Sequence, residues 1–135
     1  MINLDDITLV NFDEINAVHI EEVELLNKLY ALLNAKEKEE KKILLSLNEL
    51  LLHVREHFAN EERLMKESYY PTLSMHKAEH GKIINEMQMQ IMEFRNRKDY
   101  ELLREYFEEE IPTWLNQHIR SMDIILADYL SQKSL

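Results

Sequence analysis

The chain has 135 residues and a formal net charge of −10, with one glycine, two prolines and no cysteine. The absence of cysteine excludes disulfides, iron–sulfur clusters and thiol catalysis, and the acidic balance disfavours nucleic acid and anionic membrane surfaces as partners. We find no apolar run as long as a membrane span and no signal segment at the N-terminus, so we expect a soluble, cytoplasmic protein. The scarcity of helix breakers predicts one all-α domain over residues 1–135.

The first half of the chain predicts an arm and two helices. Residues 1 to about 13 lack helical periodicity and should form a short N-terminal arm, with Asp13 or Asn16 available to cap the first helix. The inner stripe of that helix is Ile15, His19, Glu22, Val23, Leu26, Leu29 or Tyr30, and Leu33. After a charged connection over residues 34–42, the second stripe is Ile43, Leu47, Leu50, Val54, His57, Glu61 and Leu64.

The second half predicts two more helical regions. Pro71 ends a turn, Thr72 or Ser74 can start the third helix, and its stripe is His76, His80, Ile83 or Ile84, Met87, Ile91 and Phe94. The fourth region runs from Tyr100 to about Tyr129 and should be kinked or restarted near Pro112. Its inner residues are Leu103, Phe107, Ile111, Trp114, His118, Ile125 or Leu126, and Tyr129. Four amphipathic segments with short connections predict an up-down-up-down antiparallel four-helix bundle.

The inner stripes carry potential metal ligands on all four helices. His57 with Glu61, and His76 with His80, are spaced i,i+4, so each pair shares one helix face. His19 and His118 add one imidazole each from the first and last helices. Asp123 is five residues after His118, about 140° away on an ideal helix. Both can face inward if the line between them faces the core, or if a local π-type turn brings them together.

A single inward histidine is usually a hydrogen-bonded core residue, but that interpretation fails for the whole set. Seven inward imidazoles and carboxylates without a metal would carry a large desolvation cost. Seven ligands are too many for one zinc ion but suit two six-coordinate ions with two bridging carboxylates and a bridging oxide or hydroxide. That count leaves one position open to a small molecule, and mixed nitrogen and oxygen ligands suit iron or manganese.

The pattern H…HxxxE…HxxxH…HxxxxD resembles the hemerythrin family, specifically its single-domain bacterial members, from about Ile15 to Leu130. The pattern is met by His19, His57, Glu61, His76, His80, His118 and Asp123. The resemblance implies two non-haem iron ions with an oxo or hydroxo bridge. One iron would take His76, His80 and His118, the other His19 and His57, and Glu61 and Asp123 would bridge them. Relatives bind O2 at the open position in an apolar pocket, to which we assign Phe58 and Trp114.

The chain departs from the family around its first ligand. The usual residues before that ligand are replaced at Asn16 and Val18, and Glu22 stands where relatives carry a leucine that lines the O2 pocket. Glu22 either bends away to water or a lysine, or it points at the open position, where it could ligate iron, gate O2 or donate a proton. His53, one turn before His57, is interpreted as a packing or supporting residue and not as a ligand.

These features leave more than one function open. The first hypothesis is an O2-binding protein for storage, delivery or sensing, with O2 or a related ligand such as peroxide or NO as its partner and no protein partner indicated. The second is a di-iron redox enzyme, a peroxidase, oxidase or NO-handling protein, in which Glu22 occupies or gates the O2 position. A third is an iron reservoir or a purely structural bundle.

Overall fold

A computed structural model describes residues 9–10 and 12–133, and these fold into four helices without any β-strand. The first three are α1 (Asp13–Leu33), α2 (Glu40–Glu67) and α3 (Leu73–Arg97). The fourth helix occupies residues 100–133 and packs against both α1 and α3. Because short connections join consecutive helices that lie side by side, the predicted all-α, up-down-up-down bundle is confirmed.

The fourth helix alternates between α-helical and π-helical segments. Its α segments are α4 (Tyr100–Arg104), α5 (Ile111–His118) and α6 (Ile124–Lys133), and the π segments are Glu105–Glu110 and Ile119–Asp123. The first π segment immediately precedes Ile111 and Pro112. Proline has no backbone N–H and disturbs the hydrogen bonds of the preceding turn. The interruption predicted near Pro112 is therefore a change from α-helical to π-helical hydrogen bonds, and the helix does not break.

The start of α1 differs from the prediction. Phe12 is the N-cap residue, and neither Asp13 nor Asn16 caps the helix through its side chain. Asn16 instead holds the chain that leads into the helix, because its amide accepts from Val10 N and donates to Val10 O, both at 2.8 Å. Most of the predicted N-terminal arm lies outside the described residues.

The interior is divided into two apolar clusters. The larger one lies among the later part of α1, most of α2 and α3, and the start of the fourth helix; the other includes Ile15, Val23, Met65, Leu115 and Leu126. On α2, His57 and Glu61 stand between Val54 of the larger cluster and Met65 of the other, and on the fourth helix His118 and Asp123 stand between Leu115 and Leu126 of the second cluster. The polar centre is therefore enclosed by apolar side chains along the bundle axis. None of the described helices is long and apolar enough to cross a membrane.

Candidate metal centre

Five histidines from the four helices present the same ring atom, Nε2, to one buried centre. They belong to two groups. Glu61, His76, His80 and His118 form one and His19, His57 and Glu61 form the other, with all ligand atoms of a group within 4.8 Å of one another. Every member is buried, with 5% or less of its surface exposed. The i,i+4 pairs on α2 and α3 each share one face of a regular α-helix, so both side chains of a pair reach the centre.

Two carboxylates connect the two groups. Glu61 Oε2 is in close contact with His57 Nε2, while Glu61 Oε1 lies 3.5 Å from His76 Nε2 and 3.6 Å from His80 Nε2. Each oxygen of Glu61 therefore faces a different group.

Asp123 divides its oxygens in the same way. Its Oδ2 lies 3.0 Å from His19 Nε2, and its Oδ1 lies 3.1 Å from His118 Nε2 and 3.3 Å from His76 Nε2. Asp123 reaches the centre because Ile119–Asp123 is π-helical, which was one of the two alternatives left open by the spacing.

The buried polar atoms at the centre fit a metal better than they fit one another. Among the described residues, His57 Nε2, His80 Nε2, both Glu61 oxygens and Asp123 Oδ1 have no well-aligned hydrogen bond. His76 Nε2 and His118 Nε2 are 3.2 Å apart, so two lone-pair atoms would face each other unless one ring carries a proton there. Buried polar groups are normally paired, and imidazole and carboxylate donors without partners are what a bound cation satisfies.

Electrostatics in the metal-free centre keeps its carboxylates charged. Burial disfavours the charged form of Glu61, but His57 and His76 outweigh burial and lower the pKa of its carboxyl to about 2. Burial also opposes the charge of Asp123, yet the close approach of His118, His19 and His76 holds the pKa of its carboxyl well below the usual range. Anionic oxygens are the form that a cation requires.

The pKa values of the buried histidines are shifted in opposite directions. Burial lowers the pKa of His80 to about 3; Glu61 opposes this shift, but the neighbouring His76 and His118 add to it. Burial also works against the protonated ring of His76, but Asp123 and Glu61 raise its pKa to about 9. His57 is subject to the same burial, and Glu22 and Glu61 raise the pKa of its ring well above the usual value.

Glu22 is buried, and among the described residues its ion-pair partner is a histidine. Its Oε2 lies 2.8 Å from His57 Nδ1, the ring nitrogen that faces away from the centre. Of the two alternatives left open by the sequence, the one in which Glu22 bends away to water or a lysine is contradicted within the described residues, because His57 offers a partner inside the bundle. The distance suits a hydrogen bond, although neither atom has a well-aligned one in the described part of the chain.

Two aromatic rings stack on candidate metal ligands, one on His80 and one on His118. Phe58 lies parallel to His80 with ring centroids 3.8 Å apart, and Trp114 stacks on His118 at 4.6 Å. Trp114 also donates its indole N–H to Glu79 Oε1 at 2.9 Å. These contacts fix the orientation of two candidate ligands from the side away from the polar centre.

Next to the centre is a cavity of about 20 Å³. Its walls include Glu22, Phe58 and Trp114, and the remaining lining is apolar: Leu26, Leu50, Val54, Ile83, Met87, Ile111 and Leu115. A single water needs about 10–15 Å³, so the space suits one molecule of a few atoms.

Three side chains complete the comparison with the sequence. His53 is half-buried, and its Nε2 lies 3.1 Å from Glu21 Oε2, away from the metal ligands. Two contacts were not predicted. Glu79 accepts a hydrogen bond from Trp114, and Glu62 Oε2 lies 3.8 Å from His80 Nδ1. The sequence gives little signal for either, because both are partly exposed acids on charged helix faces.

Comparison with known proteins agrees with this geometry. The family model described as the Hemerythrin HHE cation binding domain matches residues 10–130. A bacteriohemerythrin of Aquifex aeolicus is 34% identical over 110 residues, 82% of either chain, and one of Campylobacter jejuni is 28% identical over 113 residues, 84% of either chain. A bacteriohemerythrin of Ralstonia nicotianae is 30% identical over 91 residues, covering 65% of this chain and 63% of the relative. The chain therefore belongs to the hemerythrin family, with the family's cation-binding domain built around a buried histidine and carboxylate cluster.

Proposed function

We propose that the chain is a non-haem di-iron protein that binds O2, for storage, delivery or sensing, at the iron position formed by His19 and His57. The observation that carries this proposal is the division of each buried carboxylate between two histidine groups. Glu61 and Asp123 each turn one oxygen to His19 or His57 and the other to the group of His76, His80 and His118. Such a carboxylate can bridge two ions that share an oxo or hydroxo bridge.

The difference in histidine number gives the two iron positions different roles. His76, His80 and His118 would hold one iron, and His19 and His57 would hold the other, so the second iron would keep room for an outside ligand. Imidazole and carboxylate donors without thiolates suit iron. When bound, the two irons supply the electrons that O2 binding requires.

The protein's own contribution is to admit a small ligand and keep water out. The cavity beside the centre has almost entirely apolar walls, and Glu22 joins it to His57. Phe58 and Trp114 separate it from the ligands His80 and His118. Apolar packing around a metal site controls solvent access, so these side chains favour a neutral diatomic molecule over water.

The test is the visible spectrum of iron-loaded protein, reduced without air and then exposed to O2. We expect a new absorption band that disappears when O2 is removed and returns when O2 is readmitted. The variant His19→Ala, which removes one of the two imidazoles of the O2 position, should lose the band. Irreversible oxidation of the wild type with no reversible band would contradict O2 carriage.

The buried carboxylate at the cavity favours a second candidate, a di-iron redox enzyme acting on peroxide or a related ligand. Glu22 lines the cavity, where a carboxylate can hold or release a proton close to a bound ligand. Steady consumption of hydrogen peroxide with an added electron donor, reduced by Glu22→Leu, would favour the enzyme. Peroxide consumption no faster than that of free iron would leave O2 binding as the function.

A further inference from the structure

The contact between Glu22 and His57 concerns the side of the histidine that faces away from the metal position. His57 presents Nε2 to Glu61 and the centre, while its Nδ1 is 2.8 Å from Glu22 Oε2. Both side chains are nearly inaccessible, at 2% for His57 and 7% for Glu22. A carboxylate at Nδ1 favours the tautomer with its proton on that nitrogen, which leaves the lone pair of Nε2 free for a metal.

No comparable contact is recorded at two of the other ligands. The nearest carboxylate oxygen to His80 Nδ1 belongs to Glu62 and is 3.8 Å away, beyond hydrogen-bonding distance. Within the described residues, neither a hydrogen bond nor an ion pair is found for His19 Nδ1, whereas His57 Nδ1 has Glu22 Oε2 at 2.8 Å. His57 is thus distinguished from the other histidine of its group, His19, by a buried anion at Nδ1.

The charge of Glu22 is also placed where it acts on a bound ion. Across residues 9–10 and 12–133, His57 is the only ion-pair partner recorded for Glu22, and no lysine or arginine neutralises it. A cation held by Nε2 of a neutral His57 ring would be separated from this buried carboxylate by that ring alone. A buried anion close to a metal stabilises the more highly charged ion more strongly.

We propose that Glu22 is a positioning residue for His57, which aims Nε2 at the metal position shared with His19 and lowers the reduction potential of the iron bound there. This inference rests on the proposed function, because it concerns the iron to which O2 would bind. In this proposal Glu22 contacts His57 and does not coordinate iron directly.

Two substitutions separate orientation from charge. Glu22→Leu removes both the acceptor and the charge, and Glu22→Gln keeps an acceptor oxygen at the same place and removes only the charge. The control is Glu21→Gln, because Glu21 also pairs with an α2 histidine, His53, at 3.1 Å, but at the exposed surface. Circular dichroism of the metal-free variants checks folding, and if Glu22→Leu does not fold, the isosteric Glu22→Gln decides.

The measurements are anaerobic titration with ferrous iron and the midpoint potential of the loaded protein. We expect Glu22→Leu to weaken the more weakly bound iron about 10–100-fold, the usual effect of removing an outer partner of a ligand. Glu22→Gln should recover most of this affinity. Both variants should raise the midpoint potential, by about 59 mV for each tenfold loss of preference for ferric over ferrous iron. Glu21→Gln should match the wild type.

The inference and the proposed function fail in different ways. Wild-type protein that binds fewer than two irons would refute the function itself. Two irons in the wild type, with unchanged affinity and potential in both Glu22 variants, would overturn the role of Glu22 alone. A fall in affinity with an unchanged potential would also overturn it, because Glu22 would then act only through packing.

Discussion

His118 Nε2 lies 3.1 Å from Asp123 Oδ1, although an ideal α-helix would turn residues five apart by about 140°. The segment Ile119–Asp123 is π-helical, and its hydrogen bonds span one residue more than those of an α-helix. The wider turn brings the side chains of His118 and Asp123 to the same side of the helix. The extra residue is thus accommodated at the point where the fourth helix must supply two groups to one centre.

Replacing Asp123 by asparagine tests the bridging role of this carboxylate. The amide keeps the volume but offers one oxygen in place of two, so it cannot face both His19 and His118 with an anionic oxygen. We expect the iron content to fall from two ions per chain to one or fewer, measured by metal analysis. Asp128→Asn, an exposed position on the same helix, should retain both ions. Full iron content in Asp123→Asn would show that Asp123 does not bridge.

The raised histidine pKa values predict a metal affinity that depends on pH over an unusual range. The pKa of His76 is about 9, so its ring carries a second proton at pH 7 in the metal-free protein, and the pKa of His57 is raised in the same direction. A metal must displace the added protons. We therefore expect affinity to keep rising with pH from about 6.5 to about 9, with protons released on binding. Calorimetry in two buffers of different ionisation enthalpy measures the release, and an affinity that levels off near pH 7 would contradict it.

The raised pKa of His76 also predicts how the stability of the metal-free protein varies with pH. Because the pKa of His76 is higher in the folded state than in the unfolded chain, the folded state binds the proton more tightly. Its contribution to stability is fully present below about pH 6.5 and is lost as the pH rises through about 9. Denaturant unfolding of metal-free protein should give a lower free energy at pH 9 than at pH 6.5. His76→Phe, which has no titrating ring, should reduce this difference.

Phe58 and Phe94 allow stability to be separated from protection of the site. Both side chains are 1% exposed, but Phe58 stacks on His80 and lines the cavity, while Phe94 packs against Tyr100 at the far end of the bundle. Either phenylalanine replaced by alanine should lower the free energy of unfolding by about 3–5 kcal/mol. Only Phe58→Ala should also speed the oxidation of the reduced iron centre in air. Equal oxidation rates in both variants would contradict a protective role for Phe58.

His53 should be dispensable for metal binding. Its ring pairs with the exposed Glu21, and pairs of this kind contribute roughly 0–1 kcal/mol. His53→Phe should keep its iron, and its unfolding free energy should change by no more than about that amount. Loss of iron in this variant would mean that His53 acts at the centre.

The helices and their inner stripes could be predicted because burial repeats along each helix. The spacing of Leu47, Leu50, Val54, His57 and Glu61 in the sequence is the buried face of α2 in the structure. The four-helix bundle follows from four such faces with short connections. A repeating pattern of this kind is a property of many residues, so one unusual position does not obscure it.

The contacts of single polar side chains could not be predicted in the same way. Glu22 was expected to find water, a lysine or the metal, but its partner is Nδ1 of His57 on the neighbouring helix. The choice depends on the rotation of one ring and the distance between two helices, which no spacing in the chain records. The capping of α1 is a similar case, because Asn16 binds Val10 and leaves Phe12 as the N-cap residue.

The central prediction is that the two histidine groups hold two ions between them. Anaerobic titration of the metal-free protein with ferrous iron, followed by metal analysis of the washed protein, measures their number. We predict saturation at two irons per chain, and saturation at one in His19→Ala. Saturation at one iron in the wild type would contradict the sharing of Glu61 and Asp123 between two ions.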